Sequence, residues 1–506
     1  MIDLGKNPLT IAEVVRIACF DEPVELDEVA KGRINLSNQR LQRIIQSGKP
    51  IYGINTGFGI FSDRQIKPEE SNQLSRNLIL SHAVGTGTPL SSKIVRAAIL
   101  VRANTLAKGF SGVRLEVVQT LLDMLNKKVT PVIPSQGSLG SSGDLCQLSH
   151  LALVFTKDQT DLEEESGQAE YNGQVLSGKA AMVAAKIARL RLGAKEGLAI
   201  NNGATFSAAI AALAVYEAEY LLDLSNKATA LSLEALIGCS SAFDARIHEA
   251  RGHQGQIAAA SAIRELFQGS TLVDSTPRVQ DAYSLRCAPQ ILGAAKDTLD
   301  HVKRTIETEI NAATDNPLIF DDDTVLSGGN FHGEPVGMGM DFLSIAMAEV
   351  GAISERRTFR LTDGRLNQGL PPMLVDSFDA AGLNSGVMMP QYTAASLVLE
   401  NQTLATPDSV HSLPTSAEQE DHNANAMTAA RHCLEIVDNV RHILTVELFT
   451  AARAVDLRLR VQSGKLGLGT ASLYNKIREK TPYRPGDALW NAEIIKIKEL
   501  VQEHLL

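Results

Sequence analysis

Hydrophobic positions along the chain recur with the period of an α-helix. Leu299, Val302, Ile306 and Ile310 are spaced 3, 4 and 4 apart and share one helix face. Phe342, Ile345, Ala346, Val350 and Ile353 repeat that pattern. Ile436 to Leu457 contains no Gly or Pro and carries a broad apolar face, which predicts a long helix. Phe206 to Leu224 begins apolar on nearly all sides, as a helix at the centre of a bundle does. Thr10-Ile11-Ala12-Glu13 reads as a capping box that opens an early helix. These patterns predict a mainly α fold, a long central helix bundle with a loop-rich N-terminal part.

Three zones break the pattern. Tyr52 to Phe61 is Gly-rich, and Pro131 to Gly143 holds two prolines, three glycines and four serines. Leu361 to Pro390 is long and punctuated by Gly and Pro. Loops of this length inside a compact domain are usually functional. Asp158 to Gly173 carries Glu163, Glu164 and Glu165 and ends in Asn172-Gly173, which predicts a solvated excursion closed by a tight hairpin turn. Loops and short helices give way to long helices near residue 200. Two domains are expected, 1–200 with the loops and 201–506 as the long-helix bundle.

Composition narrows the partners. The 506 residues are 44% apolar, enough for a large core. Lys plus Arg number 48 against 58 for Asp plus Glu, a net charge of -10. That excess argues against a nucleic-acid groove or an anionic membrane surface as the main partner. The most apolar run, Ala204 to Tyr216, is shorter than the roughly 18 residues of a membrane span. Glu13 and Arg16 interrupt the early apolar stretch, unlike a signal peptide, so a cytoplasmic protein is expected. The five cysteines form no CxxC, and His248 and His253 are five apart, so neither a disulfide framework nor a metal site is expected.

The segment Gly137-Ser138-Leu139-Gly140-Ser141-Ser142-Gly143-Asp144-Leu145 holds the candidate chemistry. As a phosphate cradle it fails: no Lys follows the last Gly, and Asp144 brings negative charge to the anion position. No nucleotide is expected. A second reading is covalent. In Xaa-Ser-Gly the glycine nitrogen can attack the carbonyl carbon two residues back and close a five-membered ring, since glycine has no side chain in the way. Loss of two waters, ~36 Da, turns the serine into an exocyclic methylidene. The product, 4-methylidene-imidazol-5-one (MIO), is an electrophile with the Ser142 β-carbon as its reactive atom. A Ser-Ser-Gly tripeptide alone is almost always only a turn.

The segment GSLGSSGDLCQLSHLAL resembles the signature of the histidine and aromatic amino-acid ammonia-lyase family. YGINTGFG (52–59), EGLAINNGAT (196–205), RVQDAYSLRCAPQ (278–290), NAATDNPLIF (311–320), SGGNFHGEPV (327–336), GLNSGVMMPQ (382–391) and SAEQEDHNA (416–424) resemble further family blocks in the family's order. The resemblance implies that Ser141, Ser142 and Gly143 form MIO, with no metal and no nucleotide, in the domain 1–200. Ser141 stands where the family usually has alanine. Tyr52 resembles the catalytic base on a Gly-rich lid made mobile by Gly57 and Gly59. Asn202 and Tyr283 resemble the groups that support the ring, and Phe331 an aromatic neighbour of it. Arg286 resembles the anchor for the substrate carboxylate, a bidentate task suited to a guanidinium. Gln280, Tyr283 and Arg286 are three apart, so on a helix they would form one stripe.

Two positions bear on substrate. Ser81-His82 resembles the histidine-lyase form of the selectivity pair, although an imidazole can meet a phenol as well. Glu420 stands where histidine lyases carry Glu and phenylalanine lyases usually carry Gln. Asn423-Ala424-Asn425 departs from the Val-Ser-Met usual in the histidine branch. The resemblance implies elimination of ammonia from L-histidine to give trans-urocanate, in a homotetramer with shared active sites. A tyrosine or phenylalanine lyase, or a 2,3-aminomutase, would use the same group. A helical scaffold that has lost cyclisation is the non-catalytic alternative.

Overall fold

The first helix, Ile11–Phe20, begins at its capping box. The Thr10 side chain accepts from Glu13 N at 3.2 Å, and Glu13 Oε2 accepts from Thr10 N at 2.9 Å. In the computed structural model, which describes residues 1–47, 51–57, 61 and 64–506, helix makes up 59% of the described residues, 18 α-helices with a few short 3-10 turns, and the strands are short. The fold is mainly α, as the periodicity predicts.

The chain forms two compact units. One comprises Met1–Tyr216, Lys303–Asp341 and Pro407–Leu434, and the other Glu217–Val302, Phe342–Thr406 and Glu435–Leu506. They are interleaved in sequence, and four of their five boundaries fall inside the helices Thr205–Ala235, Ala288–Glu309, Glu334–Thr362 and Ala426–Val461. Helix length does change near residue 200. The longest helix before it, Glu28–Gln46, has 19 residues, against 31, 29 and 36 in three of those after it.

In the first unit, the helix Ser92–Ala107 is buried from Ile94 onward and packs against Ile11–Phe20 and Leu115–Asn126. The helices Ser71–His82, Leu145–Phe155 and Glu196–Asn201 pack on one another. This packing brings the end of one helix and the start of another beside the residue that follows the third. The loop before Glu196–Asn201 is fixed by a fully buried ion pair, Lys195 with Asp315. The expected hairpin is present, with Gln168–Tyr171 antiparallel to Gln174–Ser177 and Asn172 and Gly173 at φ +50° and +74°.

In the second unit, Glu447 is fully buried and accepts from Arg357 Nη2 at 2.8 Å, Ser354 Oγ at 2.6 Å and Ser232 Oγ at 2.7 Å. Two expectations change. Phe342 and Ile345 are 40% and 45% exposed, because the inward face of their helix runs through Leu343, Ala346, Met347 and Val350. The expected loop 361–390 is irregular only over 363–387. Leu361 ends one helix and Pro390 sits in the first turn of Met388–Leu404, where a missing N–H costs no helix bond. Thr205–Ala235 and Glu334–Thr362 are long and apolar enough to cross a membrane by composition, yet 72% and 67% of their apolar windows are buried in the protein. They are core helices.

Candidate functional site

The Ser141–Gly143 turn is gripped through its backbone. Gly143 has φ +81°, and a Cβ there would lie 2.0 Å from the Gly203 carbonyl carbon. Gly203 N donates to Ser142 O at 3.1 Å, and Asp144 N donates to Gly203 O at 2.9 Å. Gly333 N donates to Gly140 O at 2.9 Å and Asn425 N to Leu139 O at 2.8 Å. Asp144 is fully buried, and its carboxylate accepts from Ser207 N and Ser138 Oγ at 2.8 and 2.7 Å. Its charge therefore caps the first turn of Thr205–Ala235 instead of facing an anion. Burial pushes this carboxyl above the usual carboxylate range, against the lowering effect of the Ser207 and Ser138 bonds.

Asn202 Nδ2 donates to Ser142 O at 2.9 Å, a second donor on that oxygen beside Gly203 N. Paired donors suit an oxygen that gains negative charge. Asn202 Oδ1 is buried without a hydrogen-bond partner, an acceptor open to a ligand. A backbone that admits only glycine at 143, together with this orphaned acceptor, fits a ring formed from Ser141-Ser142-Gly143.

Glu420 spans the same turn. Ser141 Oγ donates to its Oε2 at 2.7 Å, and Ser142 Oγ donates to its Oε1 at 3.0 Å. It leaves a tight turn whose residues Ser416, Ala417 and Glu418 all have positive φ, at 51°, 51° and 68°. Left-handed backbone at three successive non-glycine residues is strained, and such strain concentrates at functional sites. His82 ends the helix Ser71–His82, with Nδ1 2.9 Å from Ser81 Oγ. Burial holds its pKa below the ordinary value, opposed by a hydrogen bond to the Leu78 backbone and by the Glu420 charge. Burial thus favours the neutral form of the ring.

Tyr52, His82, Ser141, Ser142, Asn202, Phe331 and Glu420 line one cavity of about 1150 Å³ within the first unit. Tyr52 lies in the turn after Ile51, where Asn55 Oδ1 accepts from Ile51 N at 2.7 Å and Gly53 has φ +70°. Gly57 N donates to Arg64 O at 2.9 Å. Gly59 lies outside the described residues.

Gln280, Tyr283 and Arg286 belong to the second unit and do not line that cavity. The helix here is only Tyr283–Arg286, so Gln280 is not on it. The preceding chain, from Pro277, is irregular, and the Asp281 carboxylate there accepts from Cys239 N at 2.6 Å and Arg278 Nη2 at 2.8 Å. The three side chains still meet: Arg286 Nη1 donates to Gln280 Oε1, and its guanidinium lies 4.9 Å from the Tyr283 ring centroid. Arg286 Nε is buried without a hydrogen-bond partner.

The cavity also takes in Leu74, Asn77, Asn316, His332 and His422, none of them singled out in the sequence. Leu74, Leu78 and His82 are spaced by four, which could have marked that helix face. Asn316 and His332 stand inside family blocks. The His332 and His422 rings stack with centroids 6.0 Å apart. Among the described residues no three His, Cys, Asp or Glu side chains gather as metal ligands.

The description of aromatic amino acid lyases matches residues 9–479. The chain is 49% identical over 477 residues to a histidine ammonia-lyase of Caldanaerobacter subterraneus subsp. tengcongensis, covering 94% of this chain and 91% of that one. The crystal structure of histidine ammonia-lyase from Trypanosoma cruzi is similar at TM-score 0.90 and 36% identity, over 99% of this chain and 93% of the other. Tyrosine aminomutase from Streptomyces globisporus is similar at TM-score 0.92 and 32% identity, over 99% and 97%.

Proposed function

The chain belongs to the aromatic amino acid lyase family, and on that premise we propose that it is a histidine ammonia-lyase, a carbon–nitrogen lyase that converts L-histidine to trans-urocanate and ammonia. The observation that carries this reading is the Glu420 carboxylate, bonded to the hydroxyls of Ser141 and Ser142 in the cavity that Tyr52 and His82 also line.

Ser141, Ser142 and Gly143 would form MIO, whose methylidene carbon supplies an electrophile that makes the amino group able to leave. The remaining work falls to side chains. Asn202 Nδ2 and Gly203 N hold the charge that develops on Ser142 O. The Tyr52 oxygen, acting as the phenolate anion, takes the β-proton of the substrate and becomes the phenol. Glu420 pairs the substrate's imidazole or ammonium, and His82 hydrogen-bonds a ring nitrogen. A neutral phenyl ring would gain nothing from that carboxylate.

Arg286 anchors the substrate carboxylate, with Gln280 and Tyr283 beside it, and these residues come from a neighbouring subunit of a homotetramer. The second unit supports assembly: Tyr283, Met389, Tyr392 and Leu399 are 69%, 61%, 58% and 64% exposed, apolar surface that a partner would cover. A cytoplasmic place of action completes the reading.

The likeness to tyrosine aminomutase, and the ability of His82 to meet a phenol, support a second reading as a tyrosine or phenylalanine lyase or a 2,3-aminomutase. The deciding experiment follows ammonia and urocanate from purified protein given L-histidine, with L-tyrosine and L-phenylalanine in parallel. Release from histidine alone, with urocanate in step, supports the histidine reading. Release from tyrosine or phenylalanine instead overturns it. A β-amino acid formed without ammonia marks a mutase.

A further inference from the structure

Ser141 is where the tripeptide departs from the family's usual alanine, and it is not a passive change. The residue is 6% exposed, and its hydroxyl donates to Glu420 Oε2 at 2.7 Å, a bond that alanine cannot make. Ser142 holds the other carboxylate oxygen at 3.0 Å. We infer that Ser141 is a positioning residue that retains Glu420 Oε2 before and after ring closure, so that maturation frees only Oε1 for the substrate.

Atom balance separates the two hydroxyls. Ring closure joins Gly143 N to the Ser141 carbonyl carbon. That carbonyl oxygen leaves as water with the amide hydrogens of Ser142 and Gly143. The second water takes the Ser142 hydroxyl and the Ser142 α-hydrogen. The Ser141 side chain keeps every atom, and its hydroxyl remains a donor. Glu420 thus passes from two serine bonds to one. A carboxylate pinned through one oxygen has less rotamer freedom to lose when the other oxygen meets a ligand. This inference rests on the reading of residues 141–143 as the cyclising tripeptide and of Glu420 as a substrate contact.

The test compares the wild type with Ser141→Ala and Ser141→Thr, all full length. Intact mass comes first, and all three proteins are expected to have lost two waters. Calorimetry then measures binding of 3-(imidazol-4-yl)propanoate, which has no amine to lose. Its Kd is expected to rise about ten-fold in Ser141→Ala, the scale of one hydrogen bond. Threonine, which keeps the hydroxyl, is expected to recover most of that loss. KM for L-histidine should rise in the alanine variant by more than kcat falls. An alanine variant that binds like the wild type overturns the inference, as does a threonine variant no better than alanine. An alanine variant that keeps both waters also overturns it, because Ser141 would then serve ring closure. A wild type that makes urocanate while these variants match it sinks this inference alone. A wild type that neither loses the waters nor binds the analogue sinks the functional reading together with it.

Discussion

The backbones of Gly143 and Gly203 lie so close that no side chain fits between them: a Cβ at Gly143 would meet three Gly203 backbone atoms at 2.0 to 2.3 Å. Gly143 supplies the nitrogen that must reach the Ser141 carbonyl, so this contact sets the geometry of cyclisation. Gly143→Ala is expected to abolish the ~36 Da mass deficit and to reduce ammonia release by roughly 10³-fold or more, the scale of losing a catalytic group. Intact mass and an ammonia assay on one preparation check both. An alanine variant with the full deficit would show that the contact is not needed.

Glu420→Gln separates maturation from substrate recognition. The amide fills the same space, so the two-water deficit should persist. It lacks the charge that the imidazole or ammonium would meet, and a hydrogen bond to a charged group contributes about 1.5–3 kcal/mol. The expected result is a fall in kcat/KM for L-histidine of roughly 10- to 100-fold. Unchanged kinetics would remove Glu420 from the substrate site.

If subunits share sites, two inactive variants should rescue each other. Tyr52→Phe and Arg286→Ala are each expected to be nearly inactive as homo-oligomers. Unfolded together and refolded as a mixture, they should regain activity, because some cavities then combine an intact Tyr52 with an intact Arg286. Native mass of the mixture, measured beside ammonia release, checks that assembly took place. A mixture as inactive as its components would argue that each cavity draws both residues from one chain.

Glu309 gives the first unit a pH dependence of its own. Burial raises its pKa to about 7, with a further push from the Asp144 charge and an opposing pull from Arg102. Lys195 and Asp315 lie in the same charged group and pair with each other. The folded protein therefore binds a proton on Glu309 that the unfolded chain releases near the model value of 4.5. Stability from this group is fully present below pH 4.5 and is lost as pH rises through about 7. Glu309→Gln should raise Tm at pH 8 and leave it nearly unchanged at pH 5. The side chain is partly exposed, which screens the effect, so the gain at pH 8 is on the order of 1–3 kcal/mol. A gain equal at both pH values would remove Glu309 as its source.

Glu447→Ala leaves the Arg357 guanidinium buried and unpaired in the second unit. Removing one partner of such a pair destabilises by roughly 3–5 kcal/mol. Adding Arg357→Met should return much of that loss, because no buried charge then remains. Urea midpoints of the single and double variants check this. A double variant as unstable as the single would show that the loss comes from packing.

The sequence exposed the site most clearly where chemistry is local. Ser141, Ser142 and Gly143 are adjacent and supply every atom of the ring, so the tripeptide together with the resembling blocks around it could suggest closure, although the groups that hold the turn lie far away in sequence. Thr10 with Glu13 and Asn172 with Gly173 are equally local, and the structure has their cap and turn. Asn316, His332 and His422 reach the cavity only through tertiary contacts, which no periodicity records. The threefold spacing of Gln280, Tyr283 and Arg286 would make a stripe only on a helix, and spacing takes no account of the Asp281 carboxylate that binds Cys239 N and Arg278 just before the helix begins. Phe342 and Ile345 follow the helical period, but a period marks an apolar face without saying what covers it.

The interleaving of the two units sets a timetable for synthesis. Ser141 meets the Glu420 carboxylate 279 residues later in the chain, and Gly140 and Leu139 are held by Gly333 and Asn425. When the tripeptide leaves the ribosome, none of these holders exists. Translation at about 5–20 residues per second keeps it waiting on the order of tens of seconds. The electrophile should therefore arise only on a nearly finished chain, which keeps a reactive carbon out of the nascent, unfolded protein.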